Sequence, residues 1–392
     1  MTSISQNNSL AADVAVIGAG SFGSWTAWRL RCAGRSVLLI DAWGPGHSRS
    51  SSGGESRIIR MGYGGDEIYS QMAWRSLAEW KELFERTGEP LFHRTGVLWM
   101  GRAGDPYSES TRSTLARVGV PIEILSAPEL VKRYPQMRVP HSGSFGILEP
   151  ESGALMARRA VAAVVRDLIR RGGEYITAAV MPPSGRGRLG FVETGNGKRI
   201  VADTFVFACG AWLPKLFPDI LRERIWPTRQ EVLFFAPPAG DRRFSSPELP
   251  VWIDFTDPRG PYGFPDLEGR GCKLAFDRHG APFDPDSGNR ALSAESVAEA
   301  RAFFAERFPL LREAPLTEFR VCQYENTSNG DFLIDRHPEL TNVWFAGGGS
   351  GHGFKHGPAV AAHISERILN GAPAEPRFSF DTKGATQSRT VY

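Results

Sequence analysis

The stretch Asp13 to Asp41, "DVAVIGAGSFGSWTAWRLRCAGRSVLLID", constrains this chain more than any other. Asp13 to Ile17 reads as a short buried strand, and Gly18, Gly20 and Gly23 supply G-x-G-x-x-G at its end. Trp25 to Cys32 continues at helical spacing, Ala33-Gly34 stops that helix, "SVLLI" is a second strand, and Asp41 closes it. The three glycines serve different ends. One makes the tight turn, one lets a pyrophosphate approach the backbone, and one allows the helix to pack closely on the strand. Phosphates then sit at the helix N-terminus, where free N–H groups and the macrodipole favour an anion. Asp41, twenty-one residues after Gly20, is placed to accept hydrogen bonds from a ribose. A glycine turn that bound nothing would not require the strand, the helix, the second strand and the acid in this order. The unit does not distinguish NAD from FAD.

The remaining 351 residues after Asp41 leave room for a second domain. Ala154 to Gly173 has helical spacing with a glycine stop, and its end "DLIRRGG" reads as solvated. Ala202 to Trp212 reads as a buried strand ending in a small-residue turn. Between Trp226 and Arg278 the chain is rich in Pro, Gly and aromatics, with alternation in "QEVLFFA" and "CKLAFD" that predicts antiparallel sheet. Ser293 to Pro309 reads as an amphipathic helix capped by Ser293, and Asn342 to Leu369 as strand, glycine turn and helix. A dinucleotide fold that begins at residue 13 and is completed after residue 340 must be discontinuous. The expected architecture is α/β: a Rossmann-type cofactor domain from 1–90, 150–225 and 320–392, and a second α+β substrate domain on a mostly antiparallel sheet from 91–149 and 226–319.

A net charge of +3 implies neither a nucleic-acid nor a membrane partner, which would need basic residues clustered on one face. No apolar run reaches the roughly 18 residues that span a bilayer, and "MTSISQNNSLAAD" and "DTKGATQSRTVY" read as loose polar tails. Cys32, Cys209, Cys272 and Cys322 are widely spaced and form no metal-type CxxC pair, so no metal is expected and the default compartment is the reducing cytoplasm. Taken singly, each cysteine reads as a small buried hydrophobe.

Four blocks in order, the βαβ unit running into "HSRSSSGGESRIIRMGYG", "YGFP" with "CKLAFD", "VCQY", and "GGGSGHGFKHGP", resemble the FAD-dependent amine oxidases of the monomeric sarcosine oxidase family, which includes N-methyltryptophan and pipecolate oxidases. The resemblance implies FAD held by Gly18, Gly20, Ser21, Phe22, Gly23 and Asp41, by Ser51, Ser52 and Arg57, by Gly210, and by Gly348, Gly351, Gly353, Phe354 and Lys355. It makes Cys322 the point of covalent flavin attachment. It assigns Arg60 and Lys355 to a substrate carboxylate, which a guanidinium grips in a fork. Tyr262 and Tyr324 match pocket-lining aromatics, although core aromatics read the same way. Lys273 matches the lysine that stabilises superoxide beside reduced flavin, and Arg57 an arginine close to the flavin ring.

The chain departs from the family at Asp277 and Gly53, where sarcosine oxidases place histidines, and both changes are expected to open space for a secondary or cyclic α-amino acid larger than sarcosine. Strand alternation puts Lys273, Ala275 and Asp277 on one face, so Asp277 either meets the substrate amine or pairs with Lys273. The implied reaction is oxidation of an amino acid to an imine, with oxygen giving hydrogen peroxide, by a monomeric enzyme. Two alternatives stand: a dehydrogenase on the same scaffold with another electron acceptor, and a non-catalytic FAD-binding protein, for which a carboxylate clamp would have no use.

Overall fold

The computed structural model describes residues 9–140 and 143–389. The strand Ser9–Ile17 lies inside a seven-stranded sheet, parallel to Val37–Asp41 on one side and to Arg199–Phe207 on the other. Glu174–Thr177 and Val343–Gly347 extend the parallel set at its two ends. Leu333–Arg336 and Phe191–Glu193 add antiparallel pairs. Val14 and Val16 face one core cluster and Ala15 and Ile17 another. A strand buried on both faces reads as a continuous apolar run, as "VAVI" does. The helices Ser21–Cys32, Ala157–Arg170, Glu67–Thr87 and Gly357–Asn370 pack together over this sheet.

The turn after Ser9–Ile17 is built on two close approaches. Gly18 has φ +106°, and a Cβ there would meet the Ala208 carbonyl oxygen at 2.3 Å. A Cβ on Gly23 would meet the Gly18 carbonyl oxygen at 1.8 Å, which is what seats the first helix against the strand end.

The second sheet has eight strands in the order Leu316–Thr327, Ile225–Phe235, Cys272–Phe276, Pro261–Phe264, Val251–Asp254, Val97–Arg102, Ser144–Glu149 and Glu123–Ser126. All neighbours pair antiparallel except Val251–Asp254 with Val97–Arg102. The boundary expected at residue 320 falls inside Leu316–Thr327, so Cys322 and Tyr324 are carried by this sheet and not by the parallel one. Cys272, Leu274 and Phe276 enter its core with Phe303 and Phe304 of the helix Ala294–Arg307, which Ser293 caps by accepting from the Ser296 N–H. A three-stranded sheet, Arg57–Ile59, Gly153–Leu155 and Phe92–His93, completes the strands named here.

Three local expectations change. Residues 9–12, read as tail, pair with 199–202 as part of the first strand; residues 1–8 lie outside the described residues. The C-terminal tail is docked by its charges: Arg389 pairs with Asp66, and buried Lys383 donates to Asn329 and to the Arg377 carbonyl. In "DLIRRGG", Asp167 turns inward and accepts from Trp28 and Arg86.

The 1.8 Å approach at Gly23 gives a stability prediction. Gly23→Ala should destabilise the fold by more than about 3 kcal/mol, because backbone meets backbone and neither can yield. Gly34→Ala, where φ is +86° with open space around the Cβ, should cost only about 1 kcal/mol. Urea unfolding of both variants checks the contrast.

Candidate functional site

A cleft of about 460 Å³ is lined by both large sheets, within the range of small-molecule and cofactor sites. At one end stand Gly18, Gly20, Ser21 and Phe22. The first helix begins at Gly20 with no side-chain cap, so its first N–H groups lack intrahelical partners. Ser52 Oγ accepts from the Ser21 N–H at 3.0 Å, joining the Ser51–Gly53 turn to the helix start. This cradle of small residues and free amides fits the pyrophosphate of a dinucleotide.

Asp41 lines the same cleft, but its carboxylate accepts from the N–H groups of Ala19, Trp43 and Gly44 at 2.8–2.9 Å. With about four acceptor positions on a carboxylate, one remains for a ribose. Ser51, Arg57, Gly210, Gly351, Gly353 and Phe354 also line it, whereas Gly23 and Gly348 sit behind the wall and hold its turns. Gly53 is a loop-packing residue: a Cβ would meet the His47 carbonyl oxygen at 1.9 Å, so it opens no space beside a substrate.

Toward the second sheet, Cys322 Sγ receives an N–H of Arg57 at 3.5 Å, while Arg57 also donates to the Ser51 and Ser56 carbonyls. Arg290 and Arg320 add their charge to the sulfur's surroundings. Reactive cysteines occupy positive settings of this kind. Lys273 is buried and donates to the Ser56 carbonyl at 2.8 Å, with its ammonium 4.1 Å from the Phe264 ring. Burial first and Arg57 second hold its pKa well below the usual lysine value. It makes no ion pair with Asp277.

Asp277, one residue beyond its strand, belongs to a different group. Its Oδ1 accepts from the Tyr324 hydroxyl at 3.1 Å. Burial raises its carboxyl, and Arg60, Tyr324, His279 and Lys355 pull it back. Arg60, Lys355, Tyr262, Tyr324 and Asp277 therefore converge, and Tyr262 and Tyr324 connect them to the cleft wall. Arg60 is held between the rings of Tyr63 and Trp99, 4.3 and 4.7 Å from its guanidinium carbon, and donates to the Gly62 carbonyl. Lys355 donates to Tyr63 Oη at 2.7 Å and the His352 carbonyl at 2.9 Å. Burial first, then Arg60, lowers its pKa far below the ordinary value. An anion placed between these two cations would restore the Lys355 proton.

Behind them stand residues that sequence reading missed. Glu149 is fully buried and accepts from the N–H groups of Met61 and Gly62, from Trp99 Nε1 and from Ser152 Oγ. Tyr63 Oη lies 2.8 Å from His356 Nε2 and 3.3 Å from His352 Nδ1. An acid ending the apolar run "FGILE" was the available signal for Glu149.

Residues 13–367 match the family model described as DAO, FAD dependent oxidoreductase. The chain is 34% identical over 375 residues to "Monomeric sarcosine oxidase" of Bacillus sp. (strain B-0618), covering 92% of each chain. It is 29% identical to "N-methyl-L-tryptophan oxidase" of Salmonella arizonae, covering 92% of this chain and 96% of the other. Its fold is like that of L-proline dehydrogenase from P. horikoshii, with a TM-score of 0.82 at 20% identity over 94% of this chain and 97% of that one.

Glu149 supports the segment that presents Arg60 without touching the cleft. Glu149→Ala should cost about 3 kcal/mol of stability, since four buried donors lose their acceptor together. Urea unfolding of the variant measures this, and loss of under about 0.5 kcal/mol would show that the network carries no weight.

Proposed function

The chain belongs to the DAO family of FAD-dependent oxidoreductases, in its monomeric sarcosine oxidase group, and on that premise we propose that it oxidises the C–N bond of a secondary or cyclic α-amino acid larger than sarcosine, passing the electrons to oxygen. The observation that carries this reading is the buried group of Arg60, Lys355 and Asp277 behind Tyr324, which lines the cleft. Two basic groups in one buried place, the pKa of one of them lowered by burial and by the other, call for an anionic ligand group. An α-carboxylate supplies it.

Bound FAD supplies the two-electron acceptor. Arg60 and Lys355 hold the substrate carboxylate, and their fixed positions set the α-carbon. Asp277 Oδ2, the oxygen not engaged by Tyr324, takes the proton of the substrate ammonium, leaving the amine as free base. The raised pKa of this buried acid suits that exchange. Tyr262 and Tyr324 exclude water from the reacting face. Lys273, when protonated, and Arg57 place positive charge where oxygen is reduced to hydrogen peroxide. In this reading the parallel sheet carries the dinucleotide end of the cofactor, the antiparallel sheet faces the flavin ring and the substrate, and the protein acts as a monomer.

The relatives are named for sarcosine and N-methyl-L-tryptophan. An aspartate in place of a histidine leaves room for a bulkier amine and favours a hydrogen-bond-donating one. Peroxide release from sarcosine, proline, pipecolate and N-methylated aromatic amino acids should rank one of the larger substrates first, and Asp277→Asn should change the order. KM should rise with pH as Lys355 loses its proton through its lowered pKa. Sarcosine as best substrate with an order indifferent to Asp277→Asn would refute the specificity reading.

Cys322 is the proposed covalent anchor, supported by its place on the cleft wall beside Arg57. Cys322 Sγ would hold the flavin by a thioether to a ring methyl; forming it would release one proton from the thiol, one from the methyl and two electrons, with oxygen as the oxidant. Wild-type protein precipitated with acid should keep its yellow colour in the pellet, while Cys322→Ala should release all flavin to the supernatant. Complete release from wild type would exclude the bond.

A further inference from the structure

Glu325 follows Tyr324 on the strand Leu316–Thr327, lines the cofactor cleft, and is 9% exposed. Its Oε1 accepts from the Gly349 N–H at 3.1 Å, while its Oε2 is buried without a hydrogen-bond partner. That oxygen lies where two wall turns approach: a Cβ on Gly347 would stand 3.6 Å from it and one on Gly210 3.7 Å. A carboxylate oxygen closed off from water and without a donor favours the protonated acid over the ion.

The surroundings decide which proton state meets that partner. From the Gly210 turn the titratable neighbour is Cys209, a thiol that burial pushes well up and whose Sγ points to the Ile17 carbonyl. From the adjoining strand Ile225–Phe235 the opposing residue is Pro227. On its own strand Tyr324 turns to Asp277 and Asn326 to Thr228. In the glycine turn, His352 and Lys355 are engaged with Gly330 and Tyr63. No cation among these neighbours compensates a charge on Glu325. Burial accordingly raises its carboxyl to about 7, with the Gly349 and Gly348 amides drawing it back.

We propose that Glu325, on the wall of the cofactor cleft, is a neutral carboxylic acid in the loaded site and that it couples flavin reduction to a proton through its charge. The proposal rests on the FAD reading given above. Once ionised, Glu325 would place an uncompensated negative charge beside a ring that gains electrons. Two-electron reduction at high pH is then accompanied by transfer of one solvent proton to the Glu325 carboxylate, beyond those the flavin itself binds. Residues that only brace Gly349 would show no such linkage.

The test compares purified holoprotein with its Glu325→Gln variant, whose amide can still accept from Gly349 but cannot titrate. Between pH 5.5 and 9.5 the visible flavin spectrum of the wild type should shift in a one-proton step that the variant lacks. Over the same range the wild-type flavin midpoint should fall more steeply by one proton per two electrons, a tenfold change in equilibrium constant and about 30 mV per pH unit. A wild-type spectrum and midpoint slope that match the variant's at every pH would overturn the proposal, as would a Glu325→Leu variant that retains the step. Wild-type protein purified without flavin would overturn the FAD reading as well, which separates the two failures.

Discussion

The pairing of Leu316–Thr327 with Ile225–Phe235 sets the register on which the site depends. Gln230 opposes Cys322 and Thr228 opposes Tyr324 along a continuous ladder, with its irregularity confined to Phe234 and Phe235, away from the cleft. A slip of one residue would reverse every side chain on the strand. Cys322 would leave Arg57, Tyr324 would leave Asp277, and Glu325 would leave the Gly349 amide. One ladder thus fixes a candidate anchor, a pocket wall and an acid with a free oxygen.

An excess of positive charge, with Asp277 the acid that faces Arg60 and Lys355, is the other organising fact. Arg57, Arg60, Lys273 and Lys355 all stand at or near the cleft, and burial heads the causes that lower both lysines. The protein keeps these groups by other means: aromatic faces around Arg60, carbonyl oxygens for Lys273 and Lys355, and the remote acid Glu149 ordering the backbone that carries Arg60. Isolated cations of this kind are costly in a dry interior. An anionic ligand arriving beside them would offset that cost.

Much of this was legible in the sequence, and the limits have physical reasons. The βαβ unit was plain because strand, glycines, helix and acid carry separate signals that must agree. The antiparallel sheet was legible from alternation in "QEVLFFA" and "CKLAFD". The helix Glu67–Thr87 carries ordinary signals, with Asp66 before it and a left-handed Gly88 after it, yet it is missing from the expected elements. Alternation placed Lys273 and Asp277 on one face but could not say that Asp277 leaves the strand and meets Tyr324 instead of Lys273. The Gly53 reading failed because a sequence shows only the missing side chain, while the folded chain puts the His47 carbonyl in its place. Glu149, Tyr63 and Trp99 were missed since their roles arise from distant segments meeting.

The order of strands in the parallel sheet also has a temporal meaning. Ser9–Ile17 is synthesised first, yet its neighbour Arg199–Phe207 follows nearly two hundred residues later, and Val343–Gly347 later still. Such non-local pairing is slow to form and leaves apolar strand edges open while the rest of the chain emerges. The "VAVI" strand thus meets Val37–Asp41 early but waits for its second neighbour, and the cleft lacks one wall until the glycine turn at Gly347–Gly353 appears. A nascent chain of this design exposes an apolar strand edge over a long stretch of synthesis, and its cleft can take shape only once that turn has been made.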